Sequence, residues 1–298
     1  MGRMKPRKQF EAMGTISLWV QNLKQALRNL RSHGWQAGIS ATGLAVGIVC
    51  LTFSLNWLWT ETNYDYFRPD YKDLYLVQHD DTASLSYSNT YTWPYVVLPV
   101  AMQLDSLLEG KAEVGLAGMT VNAQIYPDGR EEAYFYASGL YSFPGMVSAL
   151  GFTVLSGDPE KALATPGHVV LTESLARKIF GKTDVVGQTF EASAYRLSDW
   201  LTVGAVVADN EGDSHWNYEM LLPPNVQEWE WGWDGSQLYS ACIRTDDPAA
   251  VEKAFSRIYL PSDKSHWKFR LIPLRTAHKT GYGESFLYAY FYPLAFTL

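Results

Sequence analysis

From Ile39 to Trp59 the chain reads ISATGLAVGIVCLTFSLNWLW, 21 residues that are predominantly apolar and carry no charge. At ~1.5 Å rise per residue a helix over this run is roughly 31 Å long, which matches the ~30 Å hydrocarbon core of a bilayer. Lipid offers no partner for a free backbone N–H or C=O, so a crossing segment of this length has to be helical. Ahead of it, Ile16, Trp19, Val20, Leu23, Leu27 and Leu30 recur at helical spacing while Lys24, Arg28 and Arg31 fall on other faces. That pattern predicts an amphipathic helix over Thr15 to Ser32 lying in the inner interface, and a helix packed on a protein partner would share it.

Beyond the apolar run the pattern changes to short strands alternating with short helices. Leu74 to Gln78, Val114 to Tyr126, Ala133 to Tyr136, Val169 to Leu171, Thr189 to Ala192 and Leu201 to Ala208 have strand character. Thr92 as N-cap with Pro94 in the first turn predicts a helix reaching Leu108. Thr172 caps a second helix, with Glu173 in its first turn, Arg177 and Lys178 in its last, and Gly181 just past its end. Asp247-Pro248 opens a third, whose Val251, Ala254, Phe255 and Ile258 share a face. Pro127-Asp128-Gly129 and Gly187 mark turns. Strands and helices without a strict βαβ repeat predict an α+β domain.

Charge orients this layout. Seven lysines and arginines precede the apolar helix against one acid, Glu11, and the remainder holds 17 bases and 30 acids. The positive-inside rule therefore places the N-terminus in the cytoplasm and the acidic domain outside, with the basic stretch Met1 to Met13 near anionic lipid. The apolar run is longer than a signal-peptide core, and TETNYDY after it has no small-residue cleavage site, so it reads as an uncleaved anchor. Trp57 and Trp59 sit where an interfacial aromatic belt belongs. The acidic balance argues against nucleic acid as a partner. Cys50 in the apolar run and Cys242 far outside it do not pair, so packing has to stabilise the domain.

Candidate chemistry is sparse. Gly181-Lys182-Thr183 resembles the end of a phosphate loop, but the position five residues before Gly181 is Ala176 and the glycine follows a helix. Asp209, Glu211 and Asp213 are spaced like the start of a calcium loop, yet Ser214 and Met220 stand where glycine and the bidentate glutamate belong; a solvated turn fits better. His215 is read as satisfying a local hydrogen bond or packing near Trp216. Neither an HExxH nor a GxSxG pattern occurs, so the sequence predicts no enzyme, no metal and no cofactor. Two interaction features remain. Gly43 and Gly47 form a GxxxG pair suited to close helix packing. Trp229, Trp231 and Trp233 alternate at period two, so an extended segment would present them on one face, as a contact surface or as packing area.

Several segments together resemble a known family. LSGDPEKAL, VVLTESLARKIFG, VGQTF and VGAVVADNEGDSHWNYEMLL, in that order, resemble the periplasmic core domain of MacB-like and FtsX-like ABC transporter permeases. RNLRSHGW before the apolar helix and NYDYFRPDYKDLYLV after it are similar to the start of such permeases. The resemblance implies a bacterial inner-membrane permease subunit, working as a homo- or heterodimer with a separate cytoplasmic ABC ATPase. The alternative it carries is an FtsX-like scaffold that activates a periplasmic cell-wall hydrolase. It further implies residues 1–36 as cytoplasmic tail and interfacial helix, 37–59 as the first transmembrane helix and 60–284 as the periplasmic domain. Within that domain, 60–112 plus 225–284 would form a porter-like lobe and 113–224 an inserted second lobe. Ser285 to Leu298 would be the truncated start of a second transmembrane helix, or an apolar segment resting on the membrane surface.

Overall fold

The computed structural model describes residues 34–63, 65–68, 70–81, 91–93, 95–127, 134–194, 197–212, 214–224, 233 and 238–280, with 21, 22, 24, 25 and 28. It divides into two compact units, Met1–Trp59 and Thr60–Leu298.

The first unit is dominated by helix α1 (Gly34–Thr62), which contains the whole uncharged run and is the one described helix long and apolar enough to cross a membrane. Leu44 and Phe53 are 67% and 76% exposed, an arrangement that water penalises and lipid does not. Three of its hydroxyl side chains bond back along the helix. The hydroxyls of Thr42, Thr52 and Ser54 donate to the carbonyls of Gly38, Ile48 and Cys50 at 2.8–2.9 Å. Of the expected interfacial helix, residues 21, 22, 24, 25 and 28 are helical and exposed. The basic tail, the rest of that helix, most of the Pro127-Asp128-Gly129 turn and Ser285 to Leu298 lie outside the described residues.

The second unit is α+β. Its elements are β1 (Leu74–Asp81), β2 (Tyr91–Trp93), β3 (Val96–Val97), α2 (Leu98–Leu108), β4 (Glu113–Tyr126), β5 (Phe135–Ser142), α3 (Gly145–Leu150), β6 (Val154–Gly157) and α4 (Pro159–Ala164). There follow β7 (His168–Thr172), α5 (Glu173–Phe180), β8 (Thr189–Ala194), β9 (Leu197–Val207), β10 (Met220–Leu222), β11 (Leu238–Arg244), α6 (Pro248–Phe255), β12 (Trp267–Pro273) and α7 (Leu274–Thr280). Twelve strands form one sheet in the order β12-β1-β11-β4-β5-β10-β7-β9-β6, with β2 on β1, β3 on β11, and β8 paired with both β4 and β9. Strands from the two ends of the unit, β1, β11 and β12, are therefore neighbours, and the strands between them in sequence extend the sheet from β4 onward.

Period-two alternation in the strands feeds cores on both faces of this sheet. Val77 and Ile243 face α2 and α6, where Leu104, Leu108, Val251 and Phe255 complete a buried cluster. Leu74, Leu76 and Cys242 face the other way, into a cluster with Met146, Leu150, Ala162, Trp216 and Leu274. A third cluster gathers Ile125, Phe190, Leu201 and Val203 around Leu175 of α5. Helix α5 is closed at both ends by its own residues: Thr172 Oγ accepts from the Leu175 amide, and Gly181 takes the left-handed turn at φ +73°. Gly157, also left-handed at φ +78°, lies so close to β9 that a Cβ there would stand 2.3 Å from the Gly204 carbonyl oxygen.

One expected element is corrected. The segment from Thr92 is not the start of a helix: Tyr91–Trp93 pairs with His79–Asp81, and Val96–Val97 pairs with Leu238–Tyr239. Helix α2 starts at Leu98, and Pro99 rather than Pro94 occupies its first turn. The β-branched pair Val96-Val97 finds strand partners about 140 residues away, and those bonds override the local capping signal.

Candidate functional site

Three residues beyond the end of α1, the chain makes a tight turn in which the Tyr66 amide donates to Asn63 O and the Arg68 amide to Asp65 O. Asp65 takes a left-handed conformation at φ +58°, which aspartate tolerates better than most side chains. The turn sends both charged side chains inward: Asp65 and Arg68 are 1% and 4% exposed. Ions this deep are stable only when paired and fully hydrogen-bonded, and their partners come from far along the chain.

Those partners lie in the 209–219 loop between β9 and β10. Arg68 Nε donates to Asp65 Oδ1 at 2.9 Å, and its Nη2 donates to Ser214 Oγ at 2.7 Å. Ser214 Oγ in turn donates to Asp65 Oδ1 at 2.5 Å and accepts from the Trp216 amide at 3.1 Å. His215 bonds to Asp65 Oδ2 twice, through its backbone amide at 3.1 Å and through ring Nδ1. The guanidinium also stands 4.9 Å from the Phe67 ring centroid and 5.7 Å from that of Trp216. The loop is braced behind this knot: Asn210 Nδ2 donates to Trp216 O, and Asp209 accepts from both the amide and the hydroxyl of Ser174 at the start of α5.

Burial works against ionisation of Asp65, but the His215 bond, the Arg68 charge and the Ser214 hydroxyl outweigh it and hold the carboxyl down at about 2. Nearby Tyr218 is pushed up to about 12 by burial, and so is the Cys242 thiol, which is therefore protonated and unreactive. Ser214 and His215 both bond to the same carboxylate, and the serine proton is committed to Asp65 rather than to an imidazole. The arrangement is not a nucleophile relay. Chemically it is a clamp joining the segment that leaves α1 to a loop about 150 residues later.

His215 thus has a long-range partner, where the sequence suggests a local one; its ring is also 6.1 Å from that of Trp216. Asp65 and Arg68 escape sequence reading as site residues. Their one signal is opposite charges three apart among the aromatics of NYDYFRPDY. Asp209 serves as a cap for α5, Asp213 lies outside the described residues, and no group of metal-ligating side chains occurs among those described. At Gly43 and Gly47 an added Cβ would meet nothing within 4 Å. Trp233 packs on the α2/α6 cluster with its ring 6.4 Å from that of Trp267, while Trp229 and Trp231 lie outside the described residues.

The family model described as MacB-like periplasmic core domain matches residues 37–258. Among solved structures, a domain assigned to a permease protein of Porphyromonas gingivalis is similar with a TM-score of 0.55 at 19% identity, covering 69% of this chain and 91% of that one. The extracellular domain of the noncanonic ABC-type transporter YknZ from Gram-positive bacteria scores 0.45 at 12% identity, covering 67% and 99%. The periplasmic region of MacB from Actinobacillus actinomycetemcomitans scores 0.44 at 15% identity, covering 69% and 91%. Of these three, the first is close enough to show a shared fold. No curated protein matches the chain.

Proposed function

Since the chain belongs to the family of the MacB-like periplasmic core domain, we propose that it is a permease subunit of an ABC transporter, in which a separate cytoplasmic ATPase drives motion of a periplasmic domain. The charge asymmetry around α1 supports a cytoplasmic N-terminus in the bacterial inner membrane. Gly43 and Gly47 would pack against another helix of a permease dimer, where their lack of side chains lets backbones approach. Residues 60–112 with 225–284 would act as one lobe of the domain and 113–224 as the other.

The observation that carries this reading is the knot. A displacement of α1 would reach the domain through the chain at Asn63, and two residues further on the chain is clamped by Asp65 and Arg68 to Ser214 and His215. The loop so gripped leads directly into β10, which sits between β5 and β7 in the sheet. Motion imposed at α1 would therefore reach the middle of the sheet instead of being absorbed in a slack linker. The test is purification of the tagged full chain from native membranes in mild detergent. An ABC ATPase recovered with it in near-stoichiometric amount is the expected result. Recovery without any ATPase, or reaction of a cysteine introduced at exposed Lys182 only with reagents on the cytoplasmic side, would overturn the reading.

A further inference from the structure

Among the described residues, the sheet has an open polar face that takes no part in the knot. Registers across β5-β4-β8-β9 place Tyr136 opposite Gln124, Gln124 opposite Ser193, Tyr126 opposite Glu191 and Glu191 opposite Trp200. Paired residues share a face, so these side chains lie together, while the intervening Ile125, Ala192, Phe190 and Leu201 point into the core on the other side. Farther along the same face α4 covers the sheet, with Ala162 close enough to Gly204 that a Cβ there would meet it at 2.5 Å. Beyond Thr202 the aromatic rings stand in the open: Tyr134, Tyr136 and Trp200 are 48%, 57% and 56% exposed.

Two properties of this face point to a ligand class. Its rings are held in place: Tyr126 Oη donates to Gln124 Oε1 at 2.7 Å, Gln124 Nε2 donates to Tyr136 Oη at 3.1 Å, and the Tyr134 ring sits 5.8 and 5.7 Å from those of Tyr126 and Tyr136. Its charge is low: among the described register positions on this face of the four strands Glu191 is the one group ionisable near neutral pH, the neighbouring Glu219 carboxylate is taken up by the Ser138 amide, His168 stands opposite Thr202 at the far end, and the other polar positions are Asn, Ser or Thr. A protein-contact surface is typically rich in arginine and methionine around its aromatic anchors, and the described register positions of this face include neither. A lipid surface would reject the rows of amide and hydroxyl groups. Fixed aromatic faces with neutral hydrogen-bonding groups between them match a ligand that is itself uncharged, flat on one side and hydroxyl-rich at its edges.

We propose that the β5-β4-β8-β9 face binds an uncharged glycan chain, whose apolar C–H faces stack on Tyr134, Tyr136 and Trp200 and whose hydroxyl and amide groups bond to Gln124 and Glu191. The proposal is independent of the coupling through Asp65. The full chain in lipid nanodiscs, free of sugar-headed detergent, is titrated with chitohexaose and separately with cellohexaose, and binding is read by calorimetry. Saturable binding of at least one is expected, weakened about tenfold by Tyr136→Ala and by Trp200→Ala, each of which removes one stacking surface. Tyr136→Phe keeps the ring and retains binding, and Tyr259→Ala, which removes an exposed ring elsewhere, leaves it unchanged. Circular dichroism melting of each variant confirms that it is folded. Absence of saturable binding of both sugars at millimolar concentration overturns the proposal, as does binding that neither alanine variant weakens. Photocrosslinking from position 136 in cells that captures a protein instead of cell-wall glycan also overturns it.

Discussion

Replacing Asp65 by Asn isolates the electrostatic content of the knot. The folded protein holds this carboxyl at about 2 against an ordinary value of 3.8, a fall worth about 2 kcal/mol of folding stability by linkage. Because the folded value is depressed, that contribution is fully present above the unfolded pKa near 4 and is lost as pH falls from there toward 2. Asn also removes the countercharge of buried Arg68, and breaking one partner of a buried pair costs about 3–5 kcal/mol. Urea unfolding followed by tryptophan fluorescence, in which Trp216 lies beside the knot, measures both effects. The expected result at pH 7 is a variant less stable than wild type by about 3 kcal/mol or more. Between pH 5 and pH 2 the gap narrows by about 2 kcal/mol, because the wild-type carboxyl becomes protonated while the amide does not titrate. A gap independent of pH would refute the assignment of Asp65 as the ionised centre of the knot.

Two further outcomes follow from backbone geometry. Gly157→Ala places a Cβ against the Gly204 carbonyl in a left-handed conformation, so it lowers stability by about 2–3 kcal/mol, whereas Gly167→Ala, left-handed at φ +74° with open space around it, costs about 1 kcal/mol; thermal unfolding that ranks the two equally would refute the close contact. Gly43→Ile combined with Gly47→Ile weakens assembly in membranes, read by crosslinking, and leaves unfolding of the domain unchanged, since the added bulk falls only on the α1 surface.

What was legible in the sequence is what local chemistry controls. The uncharged run marks α1, Thr172 and Gly181 bracket α5, and Asp247 with Pro248 opens α6, because each signal is satisfied within a few residues of itself. The mixed α+β character also follows from local periodicity. Long-range pairing is what escapes: Val96 and Val97 look like part of a capped helix until β11 pairs with them, and His215 looks locally satisfied until Asp65 reaches it. The aromatic face is invisible for the same reason. Tyr126, Glu191 and Trp200 are spread over three strands, and only the register brings them into one row.

The central claim is that motion of α1 passes through the Asp65 knot into the sheet. Spin labels at Glu109, just past α2, and Lys182, just past α5, report movement within the domain from two exposed positions. Pulsed electron spin resonance on the full chain, reconstituted with the proposed ATPase partner in nanodiscs, then compares the ATP and ADP states at pH 7. The account predicts a distance distribution that shifts with nucleotide in the wild type. In Asp65→Asn and in the milder Ser214→Ala the shift is lost or strongly reduced, while ATP hydrolysis continues and both variants remain folded by fluorescence. An undiminished shift in both folded variants would contradict it.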